Sequence, residues 1–270
     1  MAVCFGAIYG KRSRGKAAWR PLLLIACLTF VVAFVTSCDS GGKGHRLAGG
    51  PAPGLLFNGS GVSVNDVAAI ETILDSNHLN YVTVSSEELN GMSQSQLMSY
   101  RLLIVPGGDF INMGNSLDTA TATNICVAVQ HGLNYLGICA GAFLAGNSTY
   151  YNGFNLTSGV TFGFYCAENK GIRKAALAIS NADGSTLDQY WEDGPQLSNW
   201  GLVVAKYPDG TPAVAEAKCR KGFVILAGIH AEAPENWRGG MGFNTSAATC
   251  NAYAATLIHA ALNGARLPHY

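Results

Sequence analysis

The chain has 270 residues, in which 17 Lys and Arg residues balance 17 Asp and Glu residues. Five of the cations lie before residue 21 and no acidic residue precedes Asp39, so the remaining twelve cations and seventeen anions give a net charge of about −5. The part of the chain after residue 21 is therefore acidic and has no cluster of basic residues. Nucleic acid binding requires such a cluster, because basic residues displace counterions from the phosphates, so nucleic acid is excluded as a partner class.

A positively charged N-terminal segment leads into a long apolar run. Residues 22–35 are uncharged and apolar except for Thr29 but too few to span a bilayer comfortably, so residues 1–37 are predicted to be a signal peptide. The run ends in Val35-Thr36-Ser37-Cys38, which resembles the lipobox of bacterial lipoproteins. This resemblance implies lipid attachment at Cys38 and a membrane-anchored protein facing the periplasm, with Asp39 favouring the inner membrane. An ordinary secretory signal or an uncleaved anchor is the alternative.

Composition separates a linker from a domain downstream of Cys38. Residues 38–54 are rich in Gly and Pro, which predicts a flexible tether, and residues 55–270 have the length and apolar content of one domain. The five cysteines of this domain are an odd number, which indicates at least one free thiol in an oxidising compartment. If Cys139 is free, the other four allow two disulfides in three pairings. No Cys/His grouping has the spacing of a zinc site, so neither a metal nor a cofactor is predicted.

Strands and helices alternate over the first half of the domain. Apolar or β-branched runs predict strands at 55–57, 81–84, 102–105 and 133–136, and helical spacing of apolar residues predicts helices at 65–74 and 118–131. Such alternation is typical of a parallel sheet with helices on both faces.

The second half is richer in strands. The predicted strands are 160–165, 175–179, 189–191, 202–207, 212–217 and 222–226, followed by a helix at 246–262. Asp209-Gly210 fits the turn of a hairpin.

Cys139 stands between glycines in Gly137-Ile138-Cys139-Ala140-Gly141, directly after an apolar strand. This arrangement is the cysteine form of a nucleophile elbow, because a sharp turn from strand to helix tolerates only small neighbours. A helix that begins at the cysteine favours the thiolate. For the pentapeptide alone, a packing turn around an inert cysteine is the alternative.

A histidine follows a later apolar strand in Ile229-His230-Ala231-Glu232. The pattern His-x-Glu lets one loop supply both a general base and the carboxylate that orients it. We therefore predict that His230 takes the thiol proton and that Glu232 fixes the tautomer of the imidazole.

The strand at 102–105 ends in Pro106-Gly107-Gly108, on the rim of the sheet where the predicted elbow also lies. The N–H of Gly107 or Gly108, together with that of Ala140, is predicted to bind the oxyanion of a tetrahedral intermediate. Asp109 is a predicted substrate contact, with a turn-stabilising role as the alternative.

These three motifs, in this order, resemble the class I glutamine amidotransferase-like superfamily, and the closest likeness is to the N-terminal domain of biotin-protein ligase. The shared segments are 105–109, 135–142, 191–195 and 228–232. The resemblance implies a flavodoxin-like, mostly parallel sheet with helices on both faces and a triad of Cys139, His230 and Glu232. Phe143 stands where glutaminases of this type usually have Gln, which argues against ammonia release from glutamine. No biotin ligase catalytic domain is present in the sequence.

Two functions remain open at this level. The first is a cysteine hydrolase or transferase that acts on an amide or acyl group of a small or peptide-like substrate through a thioester at Cys139. The second is a non-catalytic binding or scaffold lipoprotein that keeps the fold, since a free thiol in an oxidising compartment is prone to oxidation. A redox role for the cysteine would not need His230. The sequence leaves the substrate and the oligomeric state undetermined.

Overall fold

The structure, a computed structural model, describes residues 53–166 and 173–270. The predicted signal peptide, Cys38 and most of the predicted tether lie outside these residues, so the lipid anchor and the periplasmic location stay predictions. None of the helices in the described ranges combines the length and the apolar character that a membrane crossing requires.

Strands alternate with helices up to residue 145, and strands then dominate up to residue 227. The strands within the described residues are β1 Gly54–Phe57, β2 Tyr81–Val84, β3 Leu102–Val105, β4 Asn134–Ile138, β5 Gly163–Phe164, β6 Lys174–Asn181, β7 Thr186–Glu192, β8 Pro195–Gln196, β9 Leu202–Lys206, β10 Pro212–Cys219 and β11 Gly222–Ala227. The α-helices are α1 Val64–Ser76, α2 Ser86–Asn90, α3 Gln94–Leu97, α4 Phe110–Asn115, α5 Thr119–His131, α6 Ala140–Ala145 and α7 Ala247–Asn263.

Nine strands form one mixed sheet in the order β2-β1-β3-β4-β11-β10-β9-β6-β7. The first five of these strands are parallel to one another, and every pairing from β11 to β7 is antiparallel. The predicted α/β class, with a parallel first half and extra strands in the second half, is confirmed. Since parallel strands present their carboxyl ends at one rim, the loops after β1, β3, β4 and β11 meet there.

Helices cover both faces of the parallel half. Leu56, Ile104 and Ile138 point into the core beneath α1 and α7, whereas Leu55 and Val105 point into the core beneath α2 to α6. Successive strand residues thus alternate between two buried layers, which is why β1, β3 and β11 are apolar and buried at every position. Burial of both faces fixes where each strand ends, and the strand ends determine the positions of the loops that follow them.

The structure corrects one predicted strand. The segment 160–165 forms a strand only at Gly163 and Phe164, which pair with Gln196 and Pro195 in a small separate sheet. The residues before this strand lie in a loop, in which the Val160 carbonyl accepts from the Asn147 N–H at 3.0 Å and from the Thr157 hydroxyl at 2.7 Å. Phe162 and Tyr165 are buried although they lie outside this short strand, so the apolar pattern of the segment resembles that of a strand.

Candidate active site

Cys139 occupies the strand-to-helix turn between β4 and α6, with φ 48° and ψ −104°. Such a left-handed conformation costs a non-glycine residue about 1–3 kcal/mol, and this strain is characteristic of nucleophile elbows. The Cys139 N–H donates to the Ala227 carbonyl of β11 at 2.8 Å, which anchors the turn to the neighbouring strand. Cys139 is 7% exposed.

The two glycines that flank the cysteine are required by close backbone packing. A Cβ on Gly137 would lie 2.5 Å from the Gly141 carbonyl oxygen, and a Cβ on Gly141 would overlap the Val105 carbonyl. The Gly141 N–H donates to the Pro106 carbonyl at 3.1 Å. The Gly-x-Cys-x-Gly motif therefore lets the elbow lie directly against the end of β3.

His230 follows β11 and is 5% exposed. Its N–H donates to the Tyr190 carbonyl of β7 at 2.8 Å, and its ring Nδ1 lies 2.9 Å from Oε1 of Glu232. The structure thus brings Glu232 to the ring nitrogen on which an orienting carboxylate acts. With Nδ1 engaged in this way, Nε2 is the ring nitrogen left to exchange a proton with a nucleophile.

A second carboxylate contacts the same ring nitrogen. Oδ1 of Asp66, in the first turn of α1, lies 3.0 Å from Nδ1 of His230, and Asp66 is 5% exposed. The sequence prediction missed Asp66, because an acidic residue in the first turn of a helix is commonly present only for the helix dipole. The available signal was its position, just after the Gly-rich turn that ends β1 on the same rim.

Charges around the imidazole stabilise its protonated form. Burial on its own lowers the pKa of His230, but the Cys139 thiolate and the Glu232 carboxylate, with hydrogen bonds to Asp66 and Cys139, raise that pKa well above its usual value. These surroundings favour the protonated imidazole of His230. In cysteine hydrolases an imidazole beside the cysteine exchanges the thiol proton.

Asp66, His230 and Glu232 each offer a ligand atom within 4.8 Å of the other two, a grouping that could hold a metal ion. A metal at Nδ1 would replace the proton that this nitrogen shares with the carboxylates. Two carboxylates on one ring nitrogen instead match an imidazole held as a hydrogen-bond donor.

A cleft of about 440 Å³ opens above Cys139 and His230. Its walls are formed by Ser63, Asp66, Gly108, Asp109, Phe110, Cys139, Phe143, Phe164, Arg173, Glu192, Asp193 and His230. This volume fits a small molecule or the end of a peptide. The cysteine and the histidine, 91 positions apart in the sequence, therefore face one cavity.

The predicted oxyanion donors lie around the elbow. Ala140 is the first residue of α6, so its N–H precedes the first intrahelical hydrogen bond. Gly108 lines the cleft with φ +146°, a conformation that favours glycine. Gly107 instead packs its Cα against Asp66 and His230. Oxyanion binding by these groups stays a prediction, and Gly108 is placed better for it than Gly107.

Asp109 lines the cleft, but its carboxylate caps α4. Oδ1 accepts from the N–H groups of Ile111 and Asn112 at 3.0 and 3.1 Å, and Oδ2 accepts from the Asn112 side chain at 2.7 Å. These bonds match the alternative role as a turn stabiliser. A substrate contact by Asp109 stays a prediction.

The five cysteines of the described residues are all free, so the structure contains none of the three disulfide pairings that the sequence allowed. Burial raises the pKa of Cys126, Cys219 and Cys250. A raised pKa lowers the thiolate fraction of these three cysteines near neutral pH.

The fold and the motifs at its rim define an amidotransferase-like α/β domain. Residues 54–171 match the sequence profile of the family described as biotin-protein ligase, N terminal, which confirms the resemblance deduced from the motifs. The matched segment contains Asp66, Gly107 and Cys139 and ends before His230. No curated protein matches the chain.

Solved structures of similar fold share little sequence with the chain. A glutamine amidotransferase is 18% identical, with a TM-score of 0.47 over 62% of this chain and 86% of that chain. A protein from Thermoplasma acidophilum, described as a GMP synthase subunit, is 12% identical, with a TM-score of 0.49 over 77% of this chain and 93% of that chain. A β-galactosidase from Halorubrum lacusprofundi is 13% identical, with a TM-score of 0.45 over 84% of this chain but only 32% of that chain.

Proposed function

We propose that the protein is a cysteine-dependent hydrolase or transferase of amide or acyl substrates. The observation that carries this proposal is a strained elbow cysteine that faces the same cleft as a buried histidine whose Nδ1 is held by carboxylates. Packing alone does not require a buried imidazole next to a thiol, because burying a charged group is costly.

The reaction would run in two steps. Nε2 of His230 takes the proton of the Cys139 thiol, and the thiolate attacks the substrate carbonyl carbon to form a tetrahedral oxyanion, which the N–H groups of Ala140 and Gly108 stabilise. The oxyanion collapses to a thioester at Cys139, and the leaving amine or alcohol takes the proton from His230. Water, or another acyl acceptor, then attacks the thioester and releases the thiol.

The wall of the cleft argues against glutamine as the substrate. Phe143 stacks on Phe110 with ring centroids 4.4 Å apart, and Phe164 closes against Phe143 at 5.0 Å. This aromatic wall occupies the place where a glutaminase would present an amide-binding side chain. An apolar acyl group is better matched to it than the polar amide of glutamine.

Alkylation by iodoacetamide tests the proposal, with the modified residue identified by mass spectrometry. We expect Cys139 to react at about pH 6, where the three thiols with raised pKa values react slowly. Cys139→Ser measures the background of the other cysteines, and His230→Ala should lower the rate at Cys139 at least tenfold. Labelling of Cys139 only above about pH 8 would favour a binding or scaffold protein, and a rate unchanged by His230→Ala would favour a redox role.

Covalent turnover is tested with p-nitrophenyl acetate as a general acyl donor. We expect an acetyl adduct on Cys139 that neutral hydroxylamine removes, as a thioester requires. Absence of both the adduct and the low-pH alkylation would remove the basis for an enzyme.

A further inference from the structure

Glu192 is the last residue of β7 and lines the cleft above Cys139. Residues two positions apart on a strand point to the same face of the sheet, and Tyr190 on this face packs its ring edge-on against the imidazole of His230, with ring centroids 5.8 Å apart. The Glu192 carbonyl lies 3.5 Å from the Cys139 sulfur. The Glu192 side chain therefore starts from backbone that contacts the predicted nucleophile.

A tyrosine hydroxyl holds the Glu192 carboxylate in place. The Tyr190 hydroxyl donates to Oε2 of Glu192 at 2.5 Å, a short bond of the kind that an ionised acceptor makes. Tyr190 is buried, and its ring also contacts Trp237 at a centroid distance of 5.6 Å. Because packing fixes this ring, the carboxylate keeps one position at the cleft although Glu192 is exposed to solvent.

The charge of Glu192 has no ion-pair partner among the described residues. Arg173 binds Asp193 at 2.8 Å and interacts only weakly with Glu192. Lys174 stands opposite Glu192 in the β6–β7 pair but forms no ion pair with it. The other carboxylates of the cleft lie against the imidazole or cap α4: Asp66 and Asp109. A cation carried by a bound molecule would therefore find Glu192 available.

We propose that Glu192 is a specificity-determining residue that binds a positively charged group of the substrate, so that preferred substrates carry an ammonium or guanidinium group beside the bond that is broken. This inference rests on the proposed function, because it names the substrate class of the same cleft. The aromatic wall of Phe110, Phe143 and Phe164 comes from other elements and accepts an apolar part of the same molecule. A substrate of this class is apolar at one end and cationic near the reacting carbonyl.

The first test compares two thiol reagents of similar size and opposite charge. Trimethylammonioethyl methanethiosulfonate and sulfonatoethyl methanethiosulfonate each form a disulfide with Cys139, which mass spectrometry distinguishes from the other cysteines. The ratio of the two rates is divided by the ratio for mercaptoethanol in the same buffer. The thiolate fraction cancels in this ratio, so the result measures charge selectivity and not the pKa of the thiol.

We expect Cys139 of the wild type to prefer the cationic reagent about tenfold, and Glu192→Gln to lower this preference at least about threefold. About 0.5 M NaCl should weaken the preference too, because salt screens an exposed charge. Glu235→Gln is the matched control. It removes the same charge from an exposed residue outside the cleft lining and should leave the ratio unchanged.

The second test needs no reactive thiol. Phenylpropylamine, phenylpropanol and phenylpropionate are titrated into Cys139→Ala, and binding is followed by NMR at the indole of Trp237, which contacts Tyr190. We expect the amine to bind at least about threefold more tightly than the alcohol and the carboxylate to bind most weakly, an order that Glu192→Gln should abolish. An unreactive Cys139 would refute the proposed function, whereas this order of affinities still decides the role of Glu192.

Equal affinities for the amine and the alcohol, or no binding of any of the three probes, would overturn the assignment. So would a Glu192→Gln protein that keeps the wild-type rate ratio, or an equal loss of the ratio in Glu235→Gln. The wild-type rate ratio and the affinities of Cys139→Ala are measured with Glu192 in place, so they test the proposal even if Glu192→Gln fails to fold.

Discussion

Substitution of Gly107 by alanine tests how tightly the histidine is held. The added Cβ would lie 2.7 Å from Cε1 of His230 and 3.1 Å from Cγ of Asp66. Ordinary contact distances begin near 3.4 Å, so the ring would have to move by about 0.7 Å. Overpacking of this kind costs about 1–3 kcal/mol, which for a domain of about 200 residues lowers Tm by roughly 2–12 °C.

The expected loss of reactivity in Gly107→Ala is larger than the loss of stability suggests. A misplacement of nearly 1 Å at a reacting group lowers activity by about 10²-fold. We therefore expect the alkylation rate of Cys139 at pH 6, and turnover of any substrate that is found, to fall by one to two orders of magnitude. Circular dichroism melts and iodoacetamide kinetics measure the two effects on the same samples.

Gly242→Ala is the matched control, because Gly242 is exposed and a Cβ there meets no atom within 4 Å. It should leave both measurements unchanged. A Gly107→Ala protein with wild-type Tm and wild-type alkylation would refute the reasoning, since the imidazole and the carboxylate could not then fill the space that the structure assigns to them.

Two further predictions concern buried polar groups. Tyr207→Phe removes a hydroxyl that lies 2.8 Å from the Pro195 carbonyl and 2.9 Å from the Gly228 carbonyl, and leaving these groups unpaired should cost about 1–3 kcal/mol in thermal unfolding. Glu216 is fully buried and accepts one bond from the Leu267 N–H at 3.0 Å, while burial raises its pKa. Because its pKa is higher in the folded state than in the unfolded state, Glu216 favours the fold at acid pH, and this contribution to stability is lost as the pH rises through the folded-state pKa. Glu216→Gln should therefore be more stable than the wild type at pH 7 and equally stable below about pH 4.5.

Exposed residues of the same types serve as controls for these two variants. Tyr150→Phe should leave the unfolding free energy unchanged, since Tyr150 is 86% exposed. Glu235→Gln should give no pH-dependent difference from wild type, because Glu235 lies at the surface. Equal Tm values for Tyr207→Phe and wild type, or a Glu216→Gln protein that loses stability at pH 7, would contradict the two predictions.

The central strands and the elbow were predictable from the sequence because their cause is local. The runs 81–84 and 102–105 are strands with the predicted bounds. The run 102–105 is buried at every position, and the edge strand 81–84 is β-branched or aromatic throughout. The residues of the motifs also meet on one rim, as the topology of a parallel sheet requires.

The features that the prediction missed depend on packing between distant parts of the chain. The short helices α2 and α3 begin at capping boxes of Ser85 with Glu88 and of Ser93 with Gln96, but each is too short to show helical periodicity. Asp66 has no motif around it, and only the fold brings it to His230. Residues 160–165 were wrongly predicted as a strand, because an apolar pattern shows that side chains are buried and not which element covers them.

Strand β7 has a consequence for how the site is assembled. It is the last strand in the order of the sheet, yet the Tyr190 carbonyl accepts from the His230 N–H, and the Glu192 carbonyl lies 3.5 Å from the Cys139 sulfur. The candidate site is therefore closed by the strand that lies farthest from it in the order of the sheet. A chain cut after residue 171 would keep Cys139 but lose His230 and strand β7, so the proposed reaction requires the second half of the chain.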